Sequence, residues 1–207
     1  MVKWICLVLG YLVGTLNPAA LISRLKHKSL RERGTGNLGA TNTMLVFGKK
    51  LGALVLLLDL LKGFLAVRLV AWLVPTLPWL ALATGLAAVV GHCFPFYMGF
   101  RGGKGLATFA GLVLAYEPLL FLFLLVSGVL LMLLVNYSFI LPFYAAVFFT
   151  GFVIVREHSL LLSLLAGGVS LLIVLMHFGN FLKALRGEDR KIRDFVRKSL
   201  FSKGNTE

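Results

Sequence analysis

The feature that most constrains this chain is a succession of apolar runs of membrane length. Residues 4–22, 51–72, 79–94, 119–135, 139–155 and 160–176 are almost wholly apolar, and 106–115 is a shorter run of the same kind. The hydrocarbon core of a bilayer takes roughly 20 helical residues. It offers no partner to backbone N–H and C=O groups, so a run that crosses it must close its hydrogen bonds within a helix. The expected fold is an all-α integral membrane protein of about seven transmembrane helices. A hydrophobic share of 59% and a mean hydropathy of +0.93 exclude an ordinary soluble domain.

Charge sets the expected orientation. Only Lys3 precedes the first run, whereas Arg24, Lys26, Lys28, Arg31 and Arg33 follow it. That bias argues against a cleaved signal peptide and puts the N-terminus outside. Seven spans then place seven basic residues between Arg24 and Lys50, two at Arg101 and Lys104, and eight in the tail on one side. The tail residues are Lys183, Arg186, Arg190, Lys191, Arg193, Arg197, Lys198 and Lys203. This side is expected to be cytoplasmic, with residues 1–180 as the transmembrane unit and 181–207 as a basic cytoplasmic tail. The net charge of +13 is read as attraction to an anionic leaflet, not to nucleic acid. Cys6 and Cys93 make neither a disulfide framework nor a metal set, and no metal or cofactor is expected.

The polar interruptions carry the chemistry. Gly34-Thr35-Gly36-Asn37-Leu38-Gly39-Ala40-Thr41-Asn42 is dense in glycine and in neutral hydrogen-bonding groups, with Arg31 and Arg33 before it and Lys49 and Lys50 after it. Such a segment suits a phosphate or carboxylate. Its G-x-G-x-x-G lettering lacks the preceding strand of a dinucleotide fold. A plain glycine-rich turn between two helices is the bland alternative.

A second loop after residue 94 contains Arg101-Gly102-Gly103-Lys104-Gly105, and a helix is expected to begin at Leu106. Amides at a helix N-terminus, with a lysine beside them, also suit an anion. Met98 and Gly105 break the Walker A pattern, which disfavours nucleotide hydrolysis. His92 stands beside this loop, either as a donor to the anion or as a satisfied helix-end histidine.

Two features inside the runs add to this. Asn17-Pro18 is expected to kink the first run. Asp59 and Lys62 lie three residues apart, on one helix face. They form either an internal salt bridge or a pair in which Asp59 orients Lys62 toward the anion. Two glycine loops with lysines on one face of a bundle suggest a site for two anionic groups.

These residues resemble the bacterial acyl-phosphate:glycerol-3-phosphate acyltransferases. The resemblance rests on the two glycine motifs, on Asp59-Leu60-Leu61-Lys62-Gly63 between them, and on Gly91-His92 before the second. It implies a seven-helix, multi-pass inner-membrane enzyme of phospholipid biosynthesis with its active site toward the cytoplasm. The implied reaction moves a fatty acyl group from acyl-phosphate to the 1-hydroxyl of glycerol-3-phosphate, giving lysophosphatidic acid and phosphate. Membrane lipid and an acyl-phosphate-producing enzyme are the implied partners.

No nucleophilic side chain is implied, because substrate phosphate assists the attack. Thr35, Gly36, Asn37 and Asn42, with Thr41 beside them, would hold a phosphate. Gly102, Gly103, Lys104 and Gly105 match the glycerol-3-phosphate loop, with Lys62, His92, Arg101 and Ser138 added to the substrate-binding set. His177 and Asn180 match the supporting histidine and asparagine of the last helix.

The chain departs from the family pattern at Leu45, Asn136 and Met176, where basic residues are usual, and at Asp189, where a glutamate is usual. Each lost charged hydrogen bond to phosphate would cost about 1.5–3 kcal/mol. Two other functions therefore stand beside the first. One is a divergent paralogue acylating another acceptor, and the other is a non-catalytic membrane binder or transporter of an organic anion.

Overall fold

The computed structural model describes residues 1–188 together with Lys191 and Arg193. Arg190, Arg197, Lys198, Lys203 and Asp189 lie outside the described residues. The described residues form nine α-helices and one 3-10 turn, with no strand. The helices are α1 (Val2–Thr15), α2 (Pro18–Leu25), α3 (Ala40–Phe47), α4 (Lys49–Leu73), α5 (Pro78–Cys93), α6 (Leu106–Tyr116), α7 (Pro118–Val135), α8 (Ile140–Glu157) and α9 (Leu160–Leu185).

The first apolar run is broken where the sequence predicts. The Asn17 side chain accepts from Ala20 N at 2.8 Å and caps α2, with Pro18 in its first turn. Ala20 N–H therefore does not return to the Leu16 carbonyl, its partner in an unbroken helix.

Small residues let the helices approach closely. Gly10 lies against Thr84, Gly14 against Ala88 and Gly91 against Tyr11, so α1 and α5 run parallel in near backbone contact. A Cβ at any of these glycines would overlap the opposite carbonyl. Gly63 and Gly111 seat α4 against α6 in the same way. The core then closes around Leu80, Leu82, Leu112 and Ile173, with Phe109 edge-on to Phe149 at 5.0 Å.

Leu57, Leu122, Leu130, Leu164 and Leu171 point outward and are exposed. Apolar surface on that scale belongs against lipid, not water. Five helical stretches, Val2–Leu25, Pro78–Met98, Pro118–Val135, Ile140–Glu157 and Leu160–Leu185, are long and apolar enough to cross a membrane. The 25-residue α4 has the length but carries Lys49, Lys50, Asp59, Lys62 and Arg68. With 11 residues, α6 extends only about 16 Å, half of a ~30 Å hydrocarbon core. Its start at Gly105 is therefore set well into the bundle, and Gly103 and Gly105 are buried there.

Candidate active site

The two glycine loops meet at one end of the bundle. Arg31 Nη2 donates to the Arg101 carbonyl at 2.5 Å, joining the segment before the first loop to the second. Gly103 abuts the Leu38 carbonyl, and a Cβ on Gly103 would come within 2.7 Å of that oxygen. Asn17 Nδ2 donates to the same carbonyl at 3.4 Å, tying the break between α1 and α2 to the first loop.

The first loop is held by Asn42. This side chain is fully buried, accepts from Thr35 N at 2.7 Å, and donates to the Leu30 and Arg33 carbonyls at 2.8 and 3.1 Å. Its hydrogen-bonding capacity is largely taken up by the loop. Asn42, expected as a phosphate ligand, folds the segment that carries Thr35, Gly36 and Asn37. Gly36 turns with φ +74°, which glycine adopts without strain. Thr35 and Thr41 are exposed and Gly36 and Asn37 half-buried, so these four remain open to a ligand.

The second loop differs from expectation in a similar way. Gly102 N donates to the Cys93 carbonyl at 2.9 Å and Gly103 N to the His92 carbonyl at 3.2 Å. Those two amides shape the loop and do not point to an anion. Lys104 is presented instead: its Nζ donates to Asn180 Oδ1 at 2.7 Å, and Asn180 Nδ2 lies 3.5 Å from Ser138 Oγ. His177, one turn before Asn180 on α9, donates from Nδ1 to the Ile173 carbonyl at 2.9 Å. In the neutral ring Nε2 is then the nitrogen with the lone pair. Lys104, Ser138, Asn180 and His177 thus come together from the loop before α6, the α7–α8 turn and α9. Gly105, at φ +83°, is the N-cap of α6 and has no side-chain cap.

Lys62 and His92 do not reach this opening. Lys62 Nζ lies 2.6 Å from the Leu16 carbonyl, 2.7 Å from His92 Nδ1 and 2.8 Å from Asp59 Oδ1. The three side chains are 6%, 4% and 2% exposed for Lys62, His92 and Asp59. The salt-bridge alternative holds, with a histidine added that sequence spacing could not supply.

Beside Lys104 an apolar crevice of about 70 Å³ opens between α6, α7 and α8. Leu106, Phe109, Val113, Phe121, Leu124 and Ala145 are among the residues lining it. Leu106, one of its lining residues, is two residues from Lys104. The site therefore has a cationic and glycine-rich mouth with an apolar slot behind it.

Of the departures from the family pattern, Leu45 lies half-buried on α3 and Met176 half-buried on α9. Asn136 ends α7 in a left-handed turn, φ +68°. Its Oδ1 accepts from Arg193 N at 2.9 Å, and the Arg193 guanidinium donates to the Leu133 and Leu134 carbonyls. A tail arginine thus packs against the end of α7 at Asn136.

The sequence model of the glycerol-3-phosphate acyltransferases matches residues 4–187. A relative named glycerol-3-phosphate acyltransferase from Streptococcus thermophilus (strain CNRZ 1066) is 46% identical over 120 residues, 58% of this chain and 56% of the relative. One of the same name from Aquifex aeolicus (strain VF5) is 43% identical over 126 residues, 60% of this chain and 66% of the relative. The matched stretch thus spans a little over half the length of the first relative. The fold is similar to the crystal structure of PlsY (YgiH), an integral membrane glycerol 3-phosphate acyltransferase, in its glycerol 3-phosphate form. The TM-score is 0.86 at 32% identity, covering 98% of this chain and 100% of the other. The form with lysophosphatidic acid gives 0.81 at 31% identity, covering 92% and 95%. With a loop end built from the glycine motifs, Lys104, His177 and Asn180 on a bundle of apolar helices, the chain is an integral membrane protein and belongs to the glycerol-3-phosphate acyltransferase family.

Proposed function

We propose that this protein transfers a fatty acyl group from acyl-phosphate to the 1-hydroxyl of glycerol-3-phosphate. The observation that carries the reading is the junction at Lys104. Lys104, with its neutral partners Asn180 and Ser138, stands two residues from Leu106, which lines the apolar crevice. A substrate with a phosphate head and an alkyl chain suits such a junction.

Both substrates carry phosphate, and the acyl carbon is already activated as a mixed anhydride. The glycerol hydroxyl oxygen attacks the acyl carbon and forms the ester bond. The bond from that carbon to the phosphate oxygen breaks, and phosphate leaves with the electron pair. The hydroxyl proton passes to a phosphate oxygen of the donor, so no side-chain nucleophile is needed. Thr35, Gly36, Asn37 and Thr41 hold one phosphate, while Lys104, with Gly105 at the start of α6, holds the other. His177 and Asn180 support the Lys104 side. Holding two anions together and in line is then most of the catalysis.

The same reading places seven crossings in a bacterial inner membrane: the stretch α1–α2, then α4 to α9. The loop end, the start of the tail and most of the basic residues face the cytoplasm. An acyl-phosphate-producing enzyme supplies the donor. The test is phosphate release from palmitoyl phosphate by purified protein in detergent. Release that depends on glycerol-3-phosphate and matches lysophosphatidic acid one for one is the expected result. Release without ester product would direct attention to another acceptor.

A further inference from the structure

Asp59, Lys62 and His92 are buried in the bundle, yet none reaches the opening where substrate binds. Charges at this depth are costly, and a well-packed apolar group in their place is often neutral or stabilising. Stability alone therefore does not account for them. Their contacts do.

Lys62 takes up a backbone group that the helix break leaves over. With Ala20 N turned to Asn17 Oδ1, the Leu16 carbonyl has lost its helical donor, and Lys62 Nζ supplies one at 2.6 Å. The Thr15 carbonyl, orphaned by the same break, is taken by Tyr97 OH at 2.6 Å. Tyr97 belongs to the segment that leads into the second loop. An ammonium only donates, so His92 Nδ1 accepts from Lys62 and the ring hydrogen lies on Nε2. That nitrogen is pressed against Gly103, where a Cβ would overlap it. The His92 carbonyl holds the Gly103 amide as well.

The contacts close into a ring. It runs from the Leu16 carbonyl through Lys62 and His92 to Gly103, on to the Leu38 carbonyl and back through Asn17. Every member of the ring touches a glycine loop or the helix break beside it.

We propose that Asp59, Lys62 and His92 are positioning residues. They set the depth and register of the Lys104 loop against the first glycine loop, and so fix the spacing of the two phosphate subsites. Asp59 balances the Lys62 charge at 2.8 Å and keeps the ammonium in place. The inference rests on the reading of Lys104 as a phosphate ligand, though not on the acyl transfer itself.

The experiment compares wild type with the double variant Asp59→Asn/Lys62→Met, which removes both charges and leaves neither orphaned. Thermal unfolding, binding of glycerol-3-phosphate and steady-state kinetics are read on each. A displacement of about 1 Å in a positioned group costs on the order of 100-fold. The Leu16 carbonyl and His92 Nδ1 lose their donor in this variant, so a lower Tm is expected in any case. The result that speaks for positioning is glycerol-3-phosphate affinity of the folded variant weakened roughly tenfold to a hundredfold. A lowered Tm with unchanged affinity and KM would reduce the trio to a structural ion pair and overturn the proposal. Should the double variant not fold, His92→Leu gives the answer, because it removes the imidazole that bears on Gly103 and leaves the Asp59–Lys62 pair and the Lys62 bond to the Leu16 carbonyl intact. Equal loss of affinity there supports the ring, and wild-type affinity overturns it. If wild type binds glycerol-3-phosphate without turning over, acyl transfer fails and the binding comparison still decides the positioning role.

Discussion

At the end of the bundle away from the glycine loops, charged and polar side chains pair with one another. Arg156 pairs with Glu117, Tyr116 OH donates to Glu157, and the Arg156 guanidinium lies 5.8 Å from the Tyr116 ring centroid. Lys3 stacks over Trp79 at 5.5 Å. At the loop end Lys104, Asn180 and Ser138 also pair, but a second pattern is added. Asn42, Asn17, Lys62, Tyr97 and Arg31 all bind backbone carbonyls, holding irregular chain in place. Thr35, Thr41 and Gly36 are left accessible there. One end clamps neighbouring helices together, whereas the other builds a surface. The proposed site lies at the second end.

The comparison can be broken from the loop side first. Lys104→Ala removes the cation at the mouth of the crevice. A charged hydrogen bond to phosphate is worth about 1.5–3 kcal/mol, so kcat/KM for glycerol-3-phosphate should fall on the order of tenfold to a hundredfold. Normal acceptor affinity in that variant would remove the second loop from the site.

Asn42→Ala leaves Thr35 N and the Leu30 and Arg33 carbonyls without their partner. Unfolding should become easier by about 1–3 kcal/mol, with activity reduced further because the first loop loses its shape. A folded, fully active variant would show that the loop holds itself.

A smaller gain sharpens the comparison. Leu45→Arg restores a cation at a family position on α3. A lower KM for glycerol-3-phosphate by a few-fold is expected, and an unchanged KM means the position no longer faces phosphate. Smallest of all, Arg156→Ala at the far end breaks a half-exposed ion pair. Stability should change by no more than about 1 kcal/mol, and KM should not change.

Much of this was legible from local sequence. The apolar runs, the break at Asn17-Pro18 and the glycine density of both loops each lie within a few consecutive residues, where helix period and turn chemistry act directly. Asp59 and Lys62 were legible as a pair because they are one helical turn apart. Their third partner was not: His92 is 30 residues from Lys62, and spacing says nothing about which helices touch. For the same reason the motif does not show that Asn42 holds the Leu30 and Arg33 carbonyls. The Gly102 and Gly103 amides looked free because they precede a helix, but the chain doubles back on Cys93 and His92. Glycine content tells where backbone can bend; it does not tell which way the freed amides face.

The most direct measurement is acyl transfer by the purified protein, given palmitoyl phosphate and radiolabelled glycerol-3-phosphate in detergent. The account predicts labelled lysophosphatidic acid formed without a sealed vesicle, at a rate reduced on the order of tenfold to a hundredfold in Lys104→Ala but not in Arg156→Ala. Glycerol-3-phosphate bound with no labelled product would contradict it.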